Sequence, residues 1–135
     1  MSTVIRPEIS EKNKYWISKH RFYELRHFCL QYREWERERL NIIWVPSAQL
    51  GTTPSSTPSN LTEEQAIRLE ELDSKIYLVR QTAYEADPII GEYILEGVTT
   101  GRSYATMNAM YDIPCSKDYY YDRFRKFFYL LSLAK

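Results

Sequence analysis

At 135 residues, with 44% hydrophobic and 15% aromatic content, the chain has enough apolar material for one domain or two small helical pieces, which excludes a wholly disordered polypeptide. Its 18 Lys and Arg balance 18 Asp and Glu, so bulk charge cannot make it a non-specific coat for nucleic acid. No signal peptide opens it and no apolar run approaches the roughly 18 residues that span a bilayer, so a cytoplasmic protein without a membrane partner is expected.

Met1 to Lys14 is polar, contains Pro7 and has no period, and reads as an arm. From Ser18, a cap residue, the spacing of Phe22, Leu25, Phe28 or Cys29, Tyr32, Trp35 and Arg39 predicts one long amphipathic helix to about Ile42. Its outer face carries Arg21, Glu24, Arg26, Arg33, Glu34, Arg37 and Glu38, a solvated mixture of both signs. Residues 1–45 thus form an arm and a helix. The Pro-, Ser- and Thr-rich stretch Pro46 to Asn60 reads as a flexible linker, long enough to let the first helix serve its own chain or another copy.

Residues 61–135 read as a helical domain. Thr62 and Gln65 form a capping box with Leu61 as a staple, and Leu69, Leu72, Ile76, Val79 and Ala83 continue a stripe to about Ala86. Asp87 and Pro88 signal the start of a short helix carrying Ile89, Ile90, Tyr93, Ile94 and Leu95, with Gly97 as its terminator. Ser103 caps a further short helix whose Ala105, Met107, Ala109 and Met110 suit close helix contact, and Tyr111 to Cys115 breaks it. Pro114 sets a rigid turn, and Ser116 caps the last helix with Asp118 in its positive first turn. No strand alternation appears, so the class is all-α, about five helices with a C-terminal helix-turn-helix.

The final helix, SKDYYYDRFRKFFYLL, places Tyr120, Phe124, Phe127, Phe128 and Leu131 on one side, which must be buried. The remaining positions carry Lys117, Tyr119, Tyr121, Arg123, Arg125 and Lys126, a mixture of cations and rings suited to sugar and phosphate. A solvated amphipathic face is the plain alternative. Charge runs basic, acidic, basic: nine Lys/Arg against six Asp/Glu over residues 1–44, three against nine over 61–96, six against three over 97–135. An acidic middle can pack against a basic end of the same chain or of a neighbour and leave the last basic segment to phosphates; charge alone does not choose between these.

The order of short helix, turn and longer helix, with Gly101, Ser103, Tyr104, Ile113 and Pro114 at matching spacing, resembles the region-four module of bacterial sigma factors over the last third of the chain. Aligned without gaps, Asp118 and Asp122 fall where that family has buried aliphatic residues; a turn two residues longer restores the apolar pattern through Tyr120, Phe124 and Phe127. The runs IPCSKDYYYDRFRKFFYLLS and YELRHFCLQYREW also resemble small transcription regulators of phages and prophages of the RinA and ArpU type. The resemblance implies a phage or prophage transcription regulator in a bacterial host cell, sigma-like, acting at a promoter or operator with bacterial RNA polymerase as a partner. In that reading Tyr119, Tyr121 and Arg125 approach bases in double-stranded DNA, and Lys117, Arg123 and Lys126 hold phosphates.

Twelve Tyr and three Trp suit interfaces, so a homo-oligomer is expected. The alternative function is a protein-interaction module: a phage assembly factor, a small-terminase-like packaging subunit or an inhibitor of a host protein. Cys29 and Cys115 lack metal or disulfide-scaffold spacing, and His20 and His27 add no complete ligand set, so no metal and no cofactor are expected. No phosphate-binding loop, dinucleotide motif or nucleophile elbow is present, and an enzyme is not expected.

Overall fold

Four hydroxyl caps set the helix starts. Ser18 Oγ accepts from the Arg21 N–H at 3.4 Å, Ser103 Oγ from Thr106 at 3.2 Å and Ser116 Oγ from Tyr119 at 3.2 Å. Thr62 and Gln65 exchange two bonds: the Gln65 N–H donates to Thr62 Oγ1 at 3.1 Å and the Thr62 N–H to Gln65 Oε1 at 3.0 Å. Each cap satisfies a donor that the first turn leaves without an intrahelical partner, worth about 1 kcal/mol.

The computed structural model describes residues 12–49 and 61–135, and these are helical, with no strand among them. The helices are α1 (Lys19–Leu30), α2 (Tyr32–Gln49), α3 (Glu63–Ala86), α4 (Gly91–Thr100), α5 (Tyr104–Tyr111) and α6 (Lys117–Ala134). No helix among them is long and apolar enough to cross a membrane.

Four boundaries differ from the sequence reading. One is the start of α4, expected at Asp87 and Pro88: residues 88–90 form a turn, and the helix begins at Gly91 with Ile90 at its N-cap. Second, the expected single N-terminal helix is two helices, broken at Gln31, whose N–H bonds back to the Phe28 carbonyl at 3.2 Å while its side-chain amide reaches the His27 carbonyl at 3.3 Å. Local tightening of that kind ends a helix without proline or glycine. Third, α2 continues through Pro46 to Gln49, four residues into the expected linker; residues 50–60, like residues 1–11 of the expected arm, lie outside the described residues. Fourth, α4 runs past Gly97 to Thr100 and is closed by Gly101, which takes the left-handed conformation (φ 80°). Gly97 serves packing instead. A Cβ there would penetrate the Tyr120 hydroxyl and lie 3.3 Å from Met107 Cε.

The chain divides into two compact units, one of residues 12–31 and 79–135, the other of 32–78. In the first, α1 and α6 contact each other and both contact α4, while α5 lies against α4 and α6. Phe22, Leu25 and Cys29 of α1, Ile94 and Val98 of α4, Met107 of α5 and Tyr120, Phe127, Phe128 and Leu131 of α6 are buried there. Of the small and flexible α5 residues expected at a helix contact, only Met107 is buried; Ala105, Ala109 and Met110 face solvent. Burial pushes the Cys29 thiol far up and leaves it an inert core group. The second unit pairs α2 with residues 63–78 of α3. Arg68 grips Glu38 through two parallel bonds of 2.6 and 2.9 Å, Arg39 meets Asp73 at 2.5 Å, and Lys75 lies over the Trp35 ring. Trp35 and Leu72 are buried in this unit; Ile43 and Leu69 are only half-buried.

Candidate nucleic-acid interface

Segment α5–turn–α6 is held by bonds that begin and end on its own residues. Tyr104 carries two of them: its N–H donates to the Tyr121 hydroxyl at 3.1 Å and its own hydroxyl donates to the Cys115 carbonyl at 2.5 Å. The first residue of α5 therefore ties both the turn and α6. Asp112 closes α5 in the left-handed region (φ 58°), and Asn108 Oδ1 accepts from the Ile113 N–H at 2.8 Å. Asparagine and aspartate tolerate and bridge such a turn better than other side chains do. Buried Ile113 anchors it, and Pro114 then directs the chain into the Ser116 cap.

The sequence-predicted residues of α6 separate in this frame. Lys117 is exposed at the first position and Tyr119 is 45% exposed. Tyr121 is not on the outer face. It is 6% exposed, edge-on to Tyr120 at 5.0 Å and to Phe124 at 5.7 Å, with its hydroxyl accepting from Tyr104. It cannot approach a base, because a position next to buried Tyr120 lies on the flank covered by α5. Arg123 is half-buried, pairs with neighbouring Asp122 and stacks over the rings of Tyr119 and Tyr15 at 5.5 and 5.9 Å. Arg125 and Lys126 are half-buried, and Arg125 Nε has no hydrogen-bond partner among the described residues. Phe124, expected in the core, is also half-buried.

Sequence reasoning missed the tie between Asp87 and Tyr119. Asp87 Oδ1 accepts from the N–H groups of Ile89 and Ile90 at 2.8 and 3.1 Å, and Oδ2 accepts from the Tyr119 hydroxyl. Burial opposes ionisation of Asp87, but the Tyr119 and backbone donors outweigh it and hold the carboxyl below its ordinary value of 3.8. The same bond pushes the Tyr119 hydroxyl up. The Asp-Pro signal identifies the turn that Asp87 closes ahead of α4; nothing local identifies a partner 32 residues away. Because the folded carboxyl titrates below the unfolded one, its contribution is complete above the unfolded pKa and disappears as pH falls through the folded one. Thermal unfolding is therefore expected to show Asp87→Asn losing stability at neutral pH, with its deficit against the parent shrinking as pH falls below about 3.8.

Beside this tie a cleft of about 340 Å³ is lined by Asp87, Ile89, Ile90, Pro114, Cys115 and Tyr119, among others, and Ile89 is 78% exposed at its edge. Across α4, Glu96 accepts from the Tyr111 hydroxyl at 2.7 Å and pairs with Arg102, fastening the end of α5. No group of three His, Cys, Asp or Glu side chains gathers among the described residues. No family model, curated protein or solved structure matches the chain.

Proposed function

We propose that the chain is a DNA-binding transcription regulator that reads duplex DNA with the N-terminal half of α6. The observation that carries this is the clamped α5–turn–α6 segment, which fixes a helix whose first turn presents Lys117 and Tyr119 to solvent. A recognition helix works by placing such N-terminal side chains in the major groove while neighbouring cations hold phosphates. Lys117, Arg125 and Lys126 are the phosphate-holding cations in this reading, and Tyr119 is the group nearest the bases. Arg123 contributes less, since Asp122 already neutralises it. The sigma-like and phage-regulator resemblance adds a promoter or operator as target and RNA polymerase as partner.

Replacing Lys117 and Lys126 together by alanine is expected to leave helicity unchanged, because surface substitutions shift stability by less than about 0.5 kcal/mol. Affinity for duplex DNA is expected to fall and the salt slope to become shallower by about two, one for each phosphate no longer held. Tyr121→Phe tests the clamp itself: it removes an acceptor for the Tyr104 N–H and is expected to lower stability by about 1 kcal/mol. Parent-like salt dependence in the double variant would remove these lysines from the interface.

A second reading, a protein-interaction module, is favoured by the apolar cleft at the start of α6, where Ile89, Ile90, Pro114 and Cys115 could receive an apolar side chain of a partner.

A further inference from the structure

The segment ahead of α1 touches α6 through Tyr15. Asn13 turns this segment, its Oδ1 accepting from the Tyr15 N–H at 2.8 Å and its carbonyl from the Trp16 N–H at 3.0 Å, and buried Ile17 pins it just before the Ser18 cap. Between turn and pin, the Tyr15 ring meets α6 at two residues: it lies 5.8 Å from the Tyr129 ring, and the Arg123 guanidinium stands over it at 5.9 Å. Lys126 is three positions from each of those residues and on the same side of the helix, so the ring spans the strip from which Lys126 emerges. Exposed Lys14 sets its ammonium 5.1 Å from the centre of the same ring. Cations from opposite ends of the sequence, Lys14, Arg123 and Lys126, thus gather round one tyrosine.

We infer that this segment is a second DNA-contacting element, in which Lys14 holds a phosphate of the strand that flanks α6 and Tyr15 is the residue that positions it. The inference rests on the DNA-reading role proposed for α6 and extends it to residues outside the helix-turn-helix. When the first turn of a recognition helix enters the major groove, the turns behind it pass the phosphates that wall the groove. Arg123, Lys126 and Tyr129 occupy those later turns, and Tyr15 sets Lys14 beside them. Charge selects the occupant. With Asp122 taken up by Arg123, the patch keeps the positive charge of Lys14 and Lys126, which suits the phosphates of a nucleic-acid strand. A lysine ammonium on its flexible four-carbon stem holds a phosphate better when the backbone beneath it is already fixed, because less freedom is lost on binding. The Asn13 turn and the Tyr15 ring supply that fixing. Composition marks this stretch only as polar, since nothing local in it signals a ring contact with the last helix.

Titrating a labelled duplex with the full chain at one fixed salt concentration, about 100 mM, tests this. Lys14→Glu is expected to weaken binding about tenfold, since a cation at a phosphate becomes a repelling anion, and Lys14→Gln to weaken it less, by about threefold. Both exchange an exposed side chain and are expected to keep the parent's helicity. Tyr15→Phe retains the ring and is expected to bind like the parent, whereas Tyr15→Ala unseats the segment, so that adding Lys14→Glu in that background costs only about threefold or less. Should Tyr15→Ala lower helicity, Tyr129→Ala, which takes away the ring that Tyr15 leans on, is expected to give the same reduced factor. Parent-like binding by Lys14→Glu, beside weakened binding when Lys117 and Lys126 are both alanine, would overturn this inference and leave the reading by α6 in place. An undiminished tenfold factor in the Tyr15→Ala background would overturn the positioning role, and a parent that binds no duplex would overturn both the inference and the reading it rests on.

Discussion

Replacing Phe128 by alanine is expected to lower the unfolding free energy by about 3 to 5 kcal/mol, the range for removing an enclosed aromatic ring. Phe128 is 1% exposed, and three rings meet it edge-on: Phe22 of α1 at 5.0 Å, Phe124 at 5.1 Å and Phe127 at 5.0 Å. Edge-to-face pairs add to the burial term, and the void left by the ring is walled by helices that cannot collapse into it. Phe124→Ala is the comparison. Its ring is half-buried, part of its surface is already in water, and the loss is expected to be about 1 to 2 kcal/mol. Urea denaturation of the two variants checks the ordering; equal losses would mean that Phe124 is enclosed as fully as Phe128.

That contrast marks what periodicity can read. Spacing identified Tyr120, Phe127, Phe128 and Leu131 as the buried side of α6, since a 3.6-residue repeat requires one face to be apolar. It ranked Phe124 as buried and Tyr121 as outer, and the structure reverses the two. Tyr121 lies at the border of the apolar arc, where the bond from the Tyr104 N–H of α5 decides that it is covered; Phe124 lies within the arc yet is only half-buried, which the spacing within α6 alone does not set. The caps were legible because a side-chain oxygen and a backbone N–H two or three residues on form a local unit. Gln31 was not, because nothing about glutamine between Leu30 and Tyr32 announces a break.

Substituting Gly97 by alanine is expected to destabilise the protein by about 1 to 3 kcal/mol, although alanine is the better helix former by about 0.5 to 1 kcal/mol. The added methyl would overlap the Tyr120 hydroxyl, which is held in α6 at zero exposure and has no hydrogen-bond partner among the described residues. Tyr120→Phe removes that oxygen and leaves the nearest ring carbon, Cζ, 3.5 Å from the new Cβ, an ordinary contact. The double variant Gly97→Ala with Tyr120→Phe is therefore expected to recover most of the loss, and Tyr120→Phe alone to be neutral or slightly stabilising, since it removes a buried unsatisfied group. Additive losses in this cycle, measured by chemical denaturation, would show that the two side chains do not oppose each other. The glycine was visible in the sequence as a helix terminator. Its packing role was invisible there because the partner is on another helix, while the terminator is Gly101, four residues later.

Of the six α6 residues expected at DNA, Tyr121 is committed to the α5 clamp and Arg123 to Asp122, and Tyr119 is anchored through its hydroxyl yet keeps an exposed ring. Amino-acid type assigned all six alike; long-range bonds separated them. Binding of the full chain to duplex DNA, followed by fluorescence anisotropy across about 50 to 300 mM salt, tests the central claim most directly. Phosphates held by Lys117, Arg125 and Lys126 predict that the logarithm of the association constant falls with the logarithm of salt concentration at a slope of about −2 to −3. Absence of binding at the lowest salt, or binding whose strength does not change with salt, would contradict the account.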